Sequence, residues 1–138
     1  MNSNDAGDIL FICGRNSARS KLAEAFALSS GLSASSCGLL PPSTSLKISP
    51  HALSTLLLLY NISIPLPPPR SIYDVRGGFD HVILLCDCVE SDDENYVKGL
   101  SKSNTYSIWT VVKPSHTENG FEIACSQIRG EMEKLGWL

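Results

Sequence analysis

The 138-residue chain reads as a single α/β domain: a central four-stranded parallel sheet with helices on both faces. Two observations carry that reading. Short apolar runs alternate with stretches whose apolar residues recur at helical spacing, an order that builds strand–helix–strand units and hence a parallel sheet. The first apolar run also opens straight into a loop of small and polar residues, which is where such sheets carry their ligands.

Asp8 to Ile12 is apolar enough for a buried strand, and Ser20 to Ser29 sets Leu22, Ala23, Phe26 and Ala27 on one helical face. Leu32 to Ser36 suits a second short strand. Pro50 to Tyr60, with Ser49 as its cap, reads as a second helix carrying Leu53, Leu56, Leu57 and Tyr60. Ile64 to Arg70 contains four prolines and cannot be regular structure, so it is expected to run extended across the surface. His81 to Leu85 is a third strand, Asp92 to Leu100 a weaker helix and Thr105 to Trp109 a fourth strand. Phe121 to Leu135 closes the chain as an amphipathic helix with Ile123, Ala124, Ile128, Met132 and Leu135 in register. No repeat or linker divides residues 1–138.

Composition narrows the function. A formal charge of −3, with eleven basic residues scattered along the chain, argues against a nucleic-acid partner. The start, MNSNDAGD, is polar and acidic, and no apolar run approaches the ~18 residues needed to cross a membrane. A cytoplasmic, monomeric protein is expected. The five cysteines, Cys13, Cys37, Cys86, Cys88 and Cys125, are odd in number and irregularly spaced, as expected of thiols in a reducing compartment rather than a disulfide framework. Cys37 and Cys125 are assigned to the core. His51, His81 and His116 have no visible acid or nucleophile partner.

The chemistry concentrates in Cys13-Gly14-Arg15-Asn16-Ser17-Ala18-Arg19-Ser20. Cys13 falls at the carboxyl end of the first strand. Backbone N–H groups of Gly14 to Ala18 and the positive end of the following helix form a natural cradle for a tetrahedral oxyanion. The same field favours thiolate over thiol at Cys13. Arg19 can grip two oxyanion oxygens bidentately, a geometry lysine lacks. Ser20 can donate to the sulfur. Asn16 tolerates the left-handed backbone that such a loop requires and can tie it together through its amide.

This Cys-x5-Arg-Ser loop resembles that of the low-molecular-weight protein tyrosine phosphatase superfamily, and the continuation Lys21 to Phe26 is similar to its first helix. Within that superfamily "RNSARS" at 15–20, "SSCGL" at 35–39, "PHA" at 50–52 and "FDHVILLC" at 79–86 look most like arsenate reductases. Cys86-Asp87-Cys88 resembles the Cys-x-Cys pair of the cyanobacterial type, which couples to glutathione and glutaredoxin. The resemblance implies arsenate as substrate, with phosphate or sulfate as analogues. It also implies Cys13 as nucleophile, Cys86 and Cys88 as redox partners, glutathione or another thiol as reductant, glutaredoxin or thioredoxin as partner, and no bound cofactor or metal. The Cys pair follows an apolar strand, so it is expected at the same sheet edge as Cys13, and no second Cys pair or His-x-x-Cys offers ordinary zinc spacing.

One position departs from the pattern. Family members carry an acidic residue before a proline in the loop after the Trp-bearing strand, whereas here the stretch is Trp109-Thr-Val-Val-Lys113-Pro114, with no carboxylate before Glu118. Ester hydrolysis relies on proton donation worth ~10²–10⁴ in rate, so the lysine favours a reductase over a phosphatase. A phosphomonoesterase and a non-enzymatic oxyanion-binding module remain the alternatives.

Overall fold

The computed structural model describes residues 7–39, 47–85, 91–114 and 119–138. Four strands, β1 (Asp8–Cys13), β2 (Ser33–Gly38), β3 (His81–Leu84) and β4 (Ser107–Ile108), form one parallel sheet in the order β2-β1-β3-β4. The connections carry helices α1 (Arg19–Ser29), α2 (Pro50–Tyr60) and α3 (Ser91–Gly99), and α4 (Gly120–Lys134) follows the last strand. β1 is central, paired from Asp8↔Ser33 to Cys13↔Gly38 on one side and from Ile9↔His81 to Ile12↔Leu84 on the other. The chain leaves β1 toward β2 and returns past it to β3, so the strand order reverses beside the carboxyl end of β1, where open α/β sheets leave a crevice.

Strand alternation divides the core. Ile9, Phe11 and Cys13 pack on one face with α1, α2 and α4, while Leu10 and Ile12 pack on the other with Ile72, Val97 and Leu100. The thiol of Cys13 therefore belongs to the α1 face. On the opposite face α3 is joined by a short 3-10 turn, Ile72–Asp74, closed by a capping box between Ser71 and Asp74.

Several elements differ from the sequence expectation. Helix α1 does not have a single apolar face: every residue from Ser20 to Ala27 is buried, Lys21 and Glu24 included. Its small side chains, Ala23, Ala25 and Ala27, let it lie between the sheet and α4. In α2, Ser49 caps the helix as expected by accepting from the Ala52 amide, but the buried residues are Ala52 and Leu56. Leu53, Leu57 and Leu58 are 43%, 50% and 80% exposed, because a run of four leucines defines no unique face and the cap decides which side turns inward. In α4, Ala124, Ile128 and Met132 are buried as expected, while Ile123 and Leu135 are exposed and Cys125 fills the inner face. β4 holds only Ser107–Ile108 of the expected Thr105 to Trp109, although the Trp109 amide still bonds to Leu84 O at 2.8 Å. The proline-rich stretch has no regular structure and exposes Pro65, Pro67 and Pro68, as expected of a surface run, while Pro69 is buried and Ile64 and Leu66 pack against the core.

Cys37 and Cys125 are fully buried free thiols, as assigned. Burial pushes each from an ordinary 9.0 up to about 12. Between those values the folded protein keeps protons that the unfolded chain has released, so stability falls as pH rises through that window. Replacing Cys125 with Val removes one of the two contributions. Urea midpoints measured from pH 8 to about 11 should decline less steeply in the variant; an unchanged decline would remove Cys125 from the account.

Candidate active site

Cys13 ends β1 with 4% of its surface exposed, and its sulfur lies 2.9 Å from Ser20 Oγ in the first turn of α1. Loop and helix thus meet at a thiol–hydroxyl contact that the alternation of β1 aims correctly. The helix starts without a side-chain cap at Ala18 and without an acidic residue in its first turn. Its first amides accordingly keep their positive end for an outside anion.

Asn16 organises the loop. Its φ is +59°, the left-handed conformation expected of it, and it is fully buried. Its amide nitrogen donates to Ser20 Oγ and to Ser36 Oγ, both at 2.8 Å, and its amide oxygen accepts from the Arg70 backbone N–H at 3.0 Å. Only an oxygen can accept from that N–H, so the amide orientation is determined. Ser36 passes its own hydrogen to Glu24 Oε1 at 2.5 Å, and Lys21 Nζ reaches the same oxygen at 3.2 Å. Burial pulls Lys21 below its ordinary value, while the charge and hydrogen bond of Glu24 oppose that shift.

Neighbouring segments clamp the loop. The Leu39 amide bonds to Cys13 O at 2.9 Å and the Ser49 amide to Ser17 O at 2.8 Å, so the start of α2 is tied to the loop. Gly38 touches the loop so closely that an added Cβ would stand 2.8 Å from Gly14 O and 2.9 Å from both Arg15 C and Asn16 N. Arg70 Nε also donates to Ser36 O at 3.0 Å, fastening the segment after the prolines to β2.

Arg19 opens α1 half-buried, and its Nη1 donates to Leu85 O at 3.0 Å and to Val111 O at 3.2 Å. The arginine is thereby held at the carboxyl edge of β3 and beside the segment after β4. Gly14, Ser17 and Ala18 are half-buried and Arg15 is exposed. Cys86 and Cys88 lie outside the described residues, as does His116; Leu85, the residue before Cys86, donates its amide to Ile12 O at 2.8 Å. Lys113 is exposed and Pro114 buried. His51 is exposed with its ring 5.8 Å from Phe121, and His81 is 5.1 Å from Trp137, so neither is drawn into this site. Among the described residues no three His, Cys, Asp or Glu side chains group as a metal site, and no helix is long and apolar enough to cross a membrane.

Sequence reading did not find Ser36, Gly38, Arg70, Lys21 or the role of Glu24. The first three come from segments remote in sequence. Lys21 and Glu24, three apart on a helix, look like an ordinary solvated pair; the signal that separates them is their position directly after the Arg-Ser step, where the helix must enter the sheet.

No protein-family model and no curated protein sequence matches the chain. Solved structures do. An arsenate reductase in a phosphate-binding state superposes with a TM-score of 0.74 at 27% identity, covering 93% of this chain and 95% of that one. An arsenate reductase from Archaeoglobus fulgidus gives 0.71 at 22% identity, over 92% and 97% of the two chains. A low-molecular-weight protein tyrosine phosphatase from T. tengcongensis gives 0.68 at 21%, over 92% and 98%. The fold is the one shared by these arsenate reductases and low-molecular-weight protein tyrosine phosphatases. The chain is similar to arsenate reductases, and the structures it resembles are those of enzymes.

The contact at Gly38 is testable. Gly38→Ala meets main-chain atoms that cannot rotate away, and should destabilise the protein by about 1–3 kcal/mol. It should also weaken phosphate protection against thermal unfolding. Gly14→Ala, where a Cβ meets nothing within 4 Å, should cost the fold far less. Equal Tm values for the two variants would show that the close approach at Gly38 is not a constraint.

Proposed function

We propose that the chain is an arsenate reductase in which Cys13 is the nucleophile. The observation that carries this is the 2.9 Å contact of Cys13 Sγ with a serine hydroxyl that itself accepts a hydrogen bond from buried Asn16. Either atom of that pair can donate, and a hydrogen given by Ser20 to the sulfur would stabilise the thiolate that the attack requires.

Arsenate would sit against the loop Gly14 to Ala18 and the uncapped start of α1. Nη1 of Arg19 is occupied by two carbonyls, so Nε and Nη2 supply the grip on the oxyanion. The thiolate attacks arsenic, an S–As bond forms, and an oxygen leaves as hydroxide or water. A second thiol, from glutathione or from Cys86 or Cys88, then attacks Cys13 sulfur. The S–As electron pair passes to arsenic, As(V) becomes As(III), arsenite departs, and a disulfide remains. Two further thiols, delivered by a glutaredoxin or thioredoxin system, return it to the reduced state. Lys113 at the position of the family's acidic residue is consistent with this chemistry, because the leaving group is hydroxide from a labile centre rather than an alkoxide.

Arsenate and p-nitrophenyl phosphate assayed side by side, with glutathione–glutaredoxin and with thioredoxin as thiol donors, test the reading. Arsenate-dependent thiol oxidation is expected and should vanish in Cys13→Ser. Cys86→Ser and Cys88→Ser should each abolish or strongly reduce turnover while phosphate still raises the Tm. Full activity in the double Cys86→Ser, Cys88→Ser protein would discard the intramolecular relay and leave glutathione attacking Cys13 directly. Ester hydrolysis without arsenate reduction would make the chain a phosphatase, and binding without either turnover a non-enzymatic oxyanion module.

The lysine has its own test. Lys113→Asp should raise hydrolysis of esters with poor leaving groups, by up to the ~10²–10⁴ that general acid catalysis supplies. Unchanged hydrolysis would mean that the loop, rather than its side chain, sets the preference.

A further inference from the structure

Between Lys47 and Arg70 the chain carries no Asp, Glu, Lys or Arg, although such residues make up 18% of the sequence. Helix α2 lies within this uncharged stretch. Of its 11 residues only Ala52 and Leu56 are buried, with Tyr60 half-buried against the Phe26 ring at 5.0 Å. A helix this short is marginal on its own and takes its stability from the faces it covers. Here most of the apolar surface faces outward: Leu53, Leu57, Leu58 and Leu59 are all exposed, Leu58 by 80%.

The exposed leucines adjoin a hollow. A groove of about 320 Å³ runs between α2 and the segment that follows it, walled by Leu53, Ser54 and Leu57 on one side and by Ile62, Ile64 and Leu66 on the other. Leu58 stands beside this groove, one helical turn beyond Ser54 on the same side of the helix. An apolar knob and an apolar hole thus lie next to each other, and a twofold axis across α2 brings the knob of each copy to the hole of the other. Ser54, small and uncharged, lets the two helices approach.

The absence of charge selects the occupant. Helices that lie on membranes carry Lys or Arg on their polar face, and acidic or basic partners need an opposite charge to meet; positions 48–69 offer neither. A second copy of the chain presents the same neutral face, so no charge is left unpaired when the two close. The area suits a reversible contact. The four leucines expose on the order of 400 Å², within the ~300–600 Å² of the largest apolar patch on a monomer. Each partner in a standard interface contributes ~800 Å², and the groove with the exposed Pro65, Pro67 and Pro68 beside it supplies part of the remainder.

We propose that the leucine face of α2 is a homodimer surface: two copies pack antiparallel across a twofold axis, and Leu58 of each enters the groove of the other. The contact is reversible rather than obligate, because both halves of the core are complete within one chain. It replaces the monomer expected from the sequence and is independent of the chemistry assigned to Cys13.

Sedimentation velocity of the full chain from about 5 to 500 µM, the weak end for interfaces of this size, tests it, with a reductant present so that no intermolecular disulfide contributes. The weight-average mass should climb reversibly from one chain to two and stop there, as a closed twofold contact requires. Leu58→Glu sets two like charges at the contact and should raise the dissociation constant at least about tenfold, with Tm unchanged because residue 58 faces solvent in the single chain. Leu58→Lys carries the same expectation and decides if the first variant does not fold. Ile108→Glu, at an exposed apolar position on the sheet edge, should associate like the wild type. A wild type that stays monomeric at the highest concentration overturns the proposal, as does a mass that grows past two chains. A folded Leu58→Glu protein that dimerises like the wild type overturns it too, and so does a dimer lost in Ile108→Glu alone. If the chain instead co-sediments with phosphatidylcholine vesicles and Leu58→Glu releases it, the face belongs to a membrane and the homodimer reading fails.

Discussion

One buried amide holds this site together. Asn16 places its backbone in the left-handed region and spends both hydrogens and its oxygen on three separate segments: Ser20 in α1, Ser36 in β2, and the Arg70 amide after the proline-rich stretch. A left-handed asparagine is tolerated because its short polar side chain can bond locally. In a buried position each of those bonds is also expensive to leave unmade. The loop is therefore held by polar satisfaction rather than by apolar packing, and its shape follows from where β2 and residue 70 stand.

The sheet supplies that placement. Parallel pairing in register sets Cys13 opposite Gly38, so the end of β2 lies against the loop at a residue with no side chain. Period-two alternation puts the thiol on the α1 face, where Ser20 is already in the first turn of the helix. The reversal of strand order opens the edge at β1 and β3, where Arg19 reaches the Leu85 carbonyl. The chemistry proposed for Cys13 needs all three: the aim of the sulfur, a hydroxyl beside it, and a guanidinium held at the open edge.

The elements were legible where a local signal existed. The apolar run before Cys13, the Ser49 cap and the fitness of Asn16 for a positive φ can all be read within a few residues, and each is found in the structure. Rotation of the helices was less legible. Four consecutive leucines in α2 give no preferred face, and Lys21 and Glu24 imitate the solvated side of α1, although the helix is enclosed on every side. Ser36, Gly38 and Arg70 were invisible as site residues because their roles exist only after parallel pairing and a long connection bring them to the loop. The fourth strand is shorter than its composition implies, since an edge position lets the ladder end early.

The tether of Arg19 has a consequence for how the protein tolerates change over generations. Both of its Nη1 partners are main-chain carbonyls, at positions 85 and 111. A carbonyl is present whatever side chain a codon specifies, so the arginine takes its bearings from the path of the backbone and is indifferent to the identity of those two residues. Drift at either position leaves the tether in place provided that the strand ends stay where they are. An insertion or deletion that shifts the end of β3 or the segment beyond β4 would move it at once.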